Sequence, residues 1–326
     1  MKVCVFGAGA LGGHVATRML ATQAADVSIV ARGALLDVIR SRGFVVRSSG
    51  KEIRAKPKVA TDDPSSLPKQ DLVIVVLKST ALAAAAEAIK GLLAPQGCAL
   101  FLINGIPWWW RHGLPGAGGP LPVVDPDGVM WSRLTPQKAL GCVVYSPNEA
   151  EAPGVINHIG INRFVIGEPD GTSSARLSAA VDLFSRAGLN GEASADIRRE
   201  VWRKLVSNAS ANPLCALTRY NVSELGADPG TRGVVASMMR EVLAVAAAQG
   251  CDLRAEVDVE KLSMGGRRKP DVRPSMLQDV LARRPLEIEA QLGQLQAFAR
   301  ATGIAVPTID IVLALTRGLD LALRAA

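Results

Sequence analysis

Three residues recur at every fourth position in one stretch of the chain: Lys204, Asn208 and Asn212, between Glu200 and Pro213. That spacing puts all three on one face of a helix. Asparagine is a mediocre helix former, so two at this interval ask for a reason. A cation and two amides lining an interdomain cleft suit a 2-oxo acid. The cation gives a proton to the developing alkoxide, and the amides donate to the carboxylate. A solvated stripe, or a polar face hydrogen-bonded to a partner domain, has the same spacing. The pattern alone leaves these readings open.

A second constellation stands near the N-terminus. Gly7-Ala8-Gly9-Ala10-Leu11-Gly12 reads G-x-G-x-x-G, after the strand-like run Lys2 to Phe6. A segment of helical spacing follows, with Val15, Met19 and Leu20 apolar, and then a second strand-like run, Val27 to Ala31. This βαβ context makes a weak hexapeptide pattern specific for a dinucleotide. Gly7 permits a tight turn, Gly9 lets the backbone approach a pyrophosphate, and Gly12 lets the helix pack close to its strand. The helix N-terminus offers N–H groups and a positive dipole end to the phosphates. The second strand ends in Arg32. A site for NAD usually carries an acid there for the ribose 2′-hydroxyl, whereas an arginine accommodates a 2′-phosphate, so the expected cofactor is NADP(H).

The elements that must hold these groups are legible in outline. Asp71 to Leu77 is a continuous apolar run that ends in Lys78, and Cys98 to Ile103 is another that ends in Asn104-Gly105. Such runs mark strands covered on both faces. Strands alternating with helices imply a parallel sheet, and ligands bind beyond its carboxyl ends, where Gly7, Arg32, Lys78 and Asn104 all fall. Trp108-Trp109-Trp110 follows at once and reads either as a hydrophobic plug or dimer contact, or as a lid over the cofactor site. From Asp196 helical periodicity dominates, with helices expected over 196–217, 231–249, 274–283, 286–302 and 308–325. The expected domains are therefore 1–195, binding the cofactor, and 196–326, which is helical.

Composition bounds the rest. The chain has 326 residues, 48% of them hydrophobic, enough for one large or two ordinary domains. No stretch of about 20 apolar residues stands out to span a membrane. The five cysteines lie far apart and the three histidines are isolated, so neither a metal site nor a histidine triad is expected. Four glycines interrupt the apolar N-terminus, which argues against a secretion signal, and the expected compartment is the reducing cytoplasm. The net charge of +7 is scattered, apart from Arg267-Arg268-Lys269 and Arg283-Arg284, with no aromatic platform beside them. It suits an anionic cofactor and substrate rather than nucleic acid.

Taken together, these motifs resemble the ketopantoate reductases (2-dehydropantoate 2-reductases). The resemblance runs over nearly the whole chain. It comprises the G-A-G-A-L-G loop, Arg32, Leu77-Lys78, Asn104-Gly105, W-x-K-x-x-x-N-x-x-x-N-P at Trp202 to Pro213, Ser275 to Asp279, and Leu286 to Glu289. It implies an α/β Rossmann domain followed by an all-helical domain of the 6-phosphogluconate dehydrogenase-like type. The implied reaction is NADPH-dependent reduction of 2-dehydropantoate to (R)-pantoate in pantothenate biosynthesis, and a homodimer is compatible with it. Lys204 would be the general acid, and Asn208, Asn212, Ser275 and Asn104 would meet the substrate. Lys78, Asn104 and Glu287 would sit around the nicotinamide and ribose.

One departure bears on the substrate. The family commonly carries a further substrate asparagine ten residues after the second helix asparagine, which here is Val222, next to Asn221. Either the turn differs by a residue, or one contact to a substrate hydroxyl is missing. The alternatives are a reductase of another 2-oxo acid and a non-catalytic NADP(H)-binding regulator, and the intact Lys204, Asn208 and Asn212 speak against the latter.

Overall fold

The computed structural model describes residues 1–116, 118–265 and 273–325, so the Arg267-Arg268-Lys269 run lies outside the described residues. The chain divides into two units, Met1–Arg198 and Arg199–Ala326. The division falls in the first turn of a long helix, three residues beyond the boundary expected from the sequence (after Arg198 rather than Ala195).

In the first unit, the apolar runs become strands β1 (Lys2–Phe6), β2 (Asp26–Val30), β5 (Val59–Thr61), β6 (Gln70–Val75), β7 (Leu93–Phe101), β8 (Ala139–Tyr145), β11 (Arg163–Gly167) and β12 (Gly191–Ala193). They form one sheet in the order β12-β11-β8-β7-β6-β1-β2-β5. The sheet is parallel except where β11 runs antiparallel to β8. Alternation along each strand divides the two faces. Val3, Val5, Leu72, Ile74 and Leu100 join the core beneath helices α1 (Ala10–Ala21) and α4 (Ala175–Arg186), packing with Val15, Met19, Leu183 and Phe184. Cys4, Val73, Val75 and Ala99 on the other face are just as inaccessible. Burial on both sides is why these strands read as unbroken apolar runs.

Residues 44–46 and 155–160 read as strands in the sequence, but their pairing into a second sheet was not legible. β3 (Phe44–Ser48), β4 (Lys51–Ala55), β9 (Asn148–Ala152) and β10 (Val155–His158) pair in the order β4-β3-β10-β9, with β10 parallel to β3 across a long sequence separation. It packs on α1, where a Cβ on Gly13 would meet the Ile156 and Phe44 side chains at 2.7 and 3.1 Å. Helices α2 (Gly33–Arg42) and α3 (Leu82–Leu92) complete the unit.

The second unit is helical: α5 (Ile197–Thr218, which starts in the first unit), α6 (Val222–Ala227), α7 (Pro229–Ala248), α8 (Val259–Ser263), α9 (Ser275–Leu281), α10 (Gln294–Thr302) and α11 (Pro307–Ala325). The short α6 and α8 were not anticipated. The helix expected over 286–302 is corrected: residues 286–288 are not helical, and a π-turn, Glu289–Gly293, precedes α10. Just before that turn, Asp320 on α11 accepts the Leu286 N–H at 2.8 Å. Among the described residues, no helix is long and apolar enough to cross a membrane.

Candidate functional site

The carboxyl ends of four neighbouring strands gather the expected groups of the first unit. The sheet order β7-β6-β1-β2 sets Asn104, Lys78, the glycine loop and Arg32 along one edge. Backbone bonds lock that edge: Gly7 N–H donates to Val30 O at 3.0 Å, Val76 N–H to Phe6 O at 2.9 Å, and Leu102 N–H to Val75 O at 3.0 Å. Asn104 and Lys78 are half-buried there, and Arg32 is exposed.

The three motif glycines differ in what requires them. Gly7 has φ +103°, and a Cβ on it would lie 2.5 Å from Val76 O. A Cβ on Gly12 would lie 1.9 Å from Gly7 O, so the helix can approach its strand only without one. Gly9 has an ordinary φ of −62° and nothing within 4 Å of a Cβ. The protein's own packing therefore does not require glycine there. Gly9 is also the N-cap of α1, and no side chain caps that end and no acid sits in its first turn. An exposed helix N-terminus without cap or acid, faced by open space, fits the phosphates of a dinucleotide.

Trp108, Trp109 and Trp110 are no more than 3% exposed. Trp108 meets Phe101 edge-on at 5.4 Å, and Trp109 packs so tightly on Gly141 that a Cβ there would lie 2.5 Å from its ring. Arg198 fastens the loop, donating to Trp110 O at 2.8 Å and to His112 O. Of the two readings left open by the sequence, the hydrophobic plug is the one observed. It anchors the loop that starts at Asn104.

In the second unit, α5 carries Lys204, Asn208 and Asn212 as the spacing requires. Lys204 and Asn208 are half-buried, whereas Asn212 is 4% exposed. Asn212 Nδ2 donates to Gln291 Oε1 at 3.3 Å, and Gln291 Nε2 donates to the Glu287 carbonyl at 3.2 Å. Asn212 and the Glu287 segment are thus joined through Gln291, a residue that sequence reasoning missed. Its signal was a glutamine four residues after Glu287, within the helix expected over 286–302. Glu287 itself is half-buried, and Ser275 is exposed at the first position of α9.

Asn221 and Val222 prove to have local duties. Asn221 caps α6: its side chain accepts the N–H groups of Ser223 and Glu224 at 2.9 and 3.0 Å, and Glu224 accepts the Asn221 N–H at 2.7 Å. This reciprocal pair is a capping box. Val222, the first residue of the helix, is buried.

Known proteins match this arrangement along its whole length. The family model for ketopantoate reductase PanE/ApbA covers residues 3–171, and that for its C-terminal part covers 196–320. The chain belongs to the ketopantoate reductase family. The 2-dehydropantoate 2-reductase of Mesorhizobium japonicum is 39% identical over 98% of both chains. A solved 2-dehydropantoate 2-reductase from Geobacter metallireducens GS-15 superposes with a TM-score of 0.82 at 26% identity, covering 98% of this chain and 99% of that one. A ternary structure of D-mandelate dehydrogenase with NADH and anilino(oxo)acetate shares the fold, with a TM-score of 0.83, 23% identity and coverage of 99% and 100%.

Proposed function

We propose that this protein is an NADPH-dependent reductase that converts 2-dehydropantoate to (R)-pantoate. The observation that carries the reading is Lys204, Asn208 and Asn212 on one face of α5, in a ketopantoate reductase chain whose glycine loop is open at Gly9.

The cofactor, when bound, supplies a hydride to the C2 carbonyl carbon. The N–H groups at the start of α1 bind its pyrophosphate, and Gly9 leaves room for the approach. Arg32 meets the 2′-phosphate through charge-assisted hydrogen bonds. Lys78, Asn104 and Glu287 border the nicotinamide and ribose. Lys204 donates a proton from Nζ to the carbonyl oxygen as negative charge develops on it. Asn208, Asn212, Ser275 and Asn104 hold the substrate carboxylate and hydroxyl, fixing the carbonyl in line for both transfers.

A panel of 2-oxo acids, assayed by NADPH absorbance with NADH as the comparison, tests this reading. We expect 2-dehydropantoate to give the highest kcat/KM, and with NADPH. A higher value for another 2-oxo acid would move the assignment to a related reductase. No turnover on any member, despite NADPH binding, would leave the non-catalytic regulator.

A further inference from the structure

Gln291 is wholly buried, and its two hydrogen bonds run in a fixed direction. The residue sits in the π-turn, where the Ile288 carbonyl accepts from Gln291, Leu292 and Gly293 at 3.1, 2.8 and 3.3 Å. Its side chain reaches back to the Glu287 carbonyl at 3.2 Å. A backbone carbonyl can only accept, so the nitrogen end of Gln291 must face it. The oxygen end then faces Asn212, which must in turn present its own nitrogen, at 3.3 Å. Were the Asn212 amide reversed, two amide oxygens would face each other without a proton between them, in a dry interior where such a pair is costly.

The consequence falls on the outward side of Asn212. Its Nδ2 bond to Gln291 is the hydrogen bond that its side chain makes among the described residues, so Oδ1 and one N–H remain for a ligand. We propose that Gln291 is a positioning residue. It fixes the orientation of the Asn212 amide, so that Asn212 offers a carbonyl oxygen and selects 2-oxo acids that carry a hydroxyl group. This rests on the reading that Asn212 contacts the substrate. A hydroxyl donates to Oδ1 and can accept from the remaining N–H, whereas a methyl group in its place leaves a desolvated oxygen unpaired. Sites built around such a contact reject the analogue lacking it far more strongly than apolar pockets do. The contact also suits a chain in which Asn221 is engaged as a helix cap and Val222 is apolar.

The test compares 2-dehydropantoate with trimethylpyruvate, the same carbon skeleton without the hydroxyl, in the full-length protein and two variants. Gln291→Met is close in volume but cannot hydrogen-bond the amide strongly. Gln291→Glu, kept neutral by burial and assayed on the acid side of neutrality, can still donate to Glu287 O and accept from Asn212. We expect a clear preference for 2-dehydropantoate in the unmodified protein. Gln291→Met should shrink that preference by about tenfold or more, through a raised KM for 2-dehydropantoate alone, and Gln291→Glu should restore much of it. Thermal unfolding and NADPH binding report whether each variant is folded. If Gln291→Met fails to fold, Gln291→Glu decides, since retained preference supports the role and lost preference overturns it. An unchanged preference in folded Gln291→Met, or an equal loss on both substrates, also overturns it. An unmodified protein active on both but indifferent to the hydroxyl does the same while leaving the proposed reductase intact. Inactivity of the unmodified protein on both substrates would instead overturn the proposed function itself.

Discussion

Arg32 stands exposed just past the end of β2, followed by Gly33 and Ala34 and with no acid on either side. If it binds a 2′-phosphate, NADPH should bind more tightly than NADH by roughly 1.5–3 kcal/mol, the size of a charge-assisted contact. Arg32→Ala should erase most of that gap, as titrations of both cofactors would show, and equal affinities in the unmodified protein would refute the role. Asn221 gives the opposite case, a polar residue near the expected substrate positions whose visible work is structural. Losing its cap should cost about 0.5–2 kcal/mol of stability. Asn221→Ala should therefore lower the midpoint of thermal unfolding and leave the ratio of kcat/KM values for 2-dehydropantoate and trimethylpyruvate unchanged. A collapsed ratio would place Asn221 at the substrate after all. The Lys204, Asn208 and Asn212 stripe could be read from spacing because a helix has one strong period. Gln291 could not, because its importance comes from its bond to Asn212, 79 residues away in the chain.

At the scale of elements, the βαβ start was legible because its glycines obey packing rules that are local in sequence. Gly7 and Gly12 are required by the protein's own backbone, Gly9 by nothing in the protein. Gly9→Ala should consequently leave the unfolding midpoint nearly unchanged and weaken NADPH binding by tenfold or more, about 1.4 kcal/mol. Undiminished NADPH affinity would argue that no phosphate approaches there. The pairing of the small sheet was illegible for a different reason. Its strands are short and partly exposed, and β3 finds β10 only through a parallel pairing across most of the unit. The π-turn was likewise hidden, since apolar periodicity continues through it into α10.

At the scale of the molecule, the seam between α1 and the small sheet sets an acid limit on the fold. His14 on α1 stacks on His158 of β10, with ring centroids 4.5 Å apart, and both are buried. Asn162 accepts from His14 Nε2 at 3.0 Å, and the Asn162 amide nitrogen is committed to Gly188 O. His158 Nε2 donates to Ile161 O at 3.1 Å, while its Nδ1 accepts from Ser48 at 2.8 Å. Protonation of either ring is disfavoured in the folded state. Burial above all, with the neighbouring His158 and Arg18, pushes His14 from 6.5 down to about 3, and burial also lowers His158. Below pH 6.5 the unfolded chain binds protons that the folded chain refuses, so stability should fall as pH drops from there towards 3. The slope from His14 is at most about 1.4 kcal/mol per pH unit. Denaturant unfolding across that range checks it, and His14→Gln should flatten the curve; a slope unchanged by the substitution would assign the acid sensitivity elsewhere.

The most direct measurement is single-turnover reduction of 2-dehydropantoate by NADPH in the unmodified protein and in Lys204→Ala. Removing a general acid should slow hydride transfer by a factor of about 10² or more while NADPH binding stays within a few-fold. Turnover in Lys204→Ala close to that of the unmodified protein would contradict the assignment and move proton donation to Glu287 or to water.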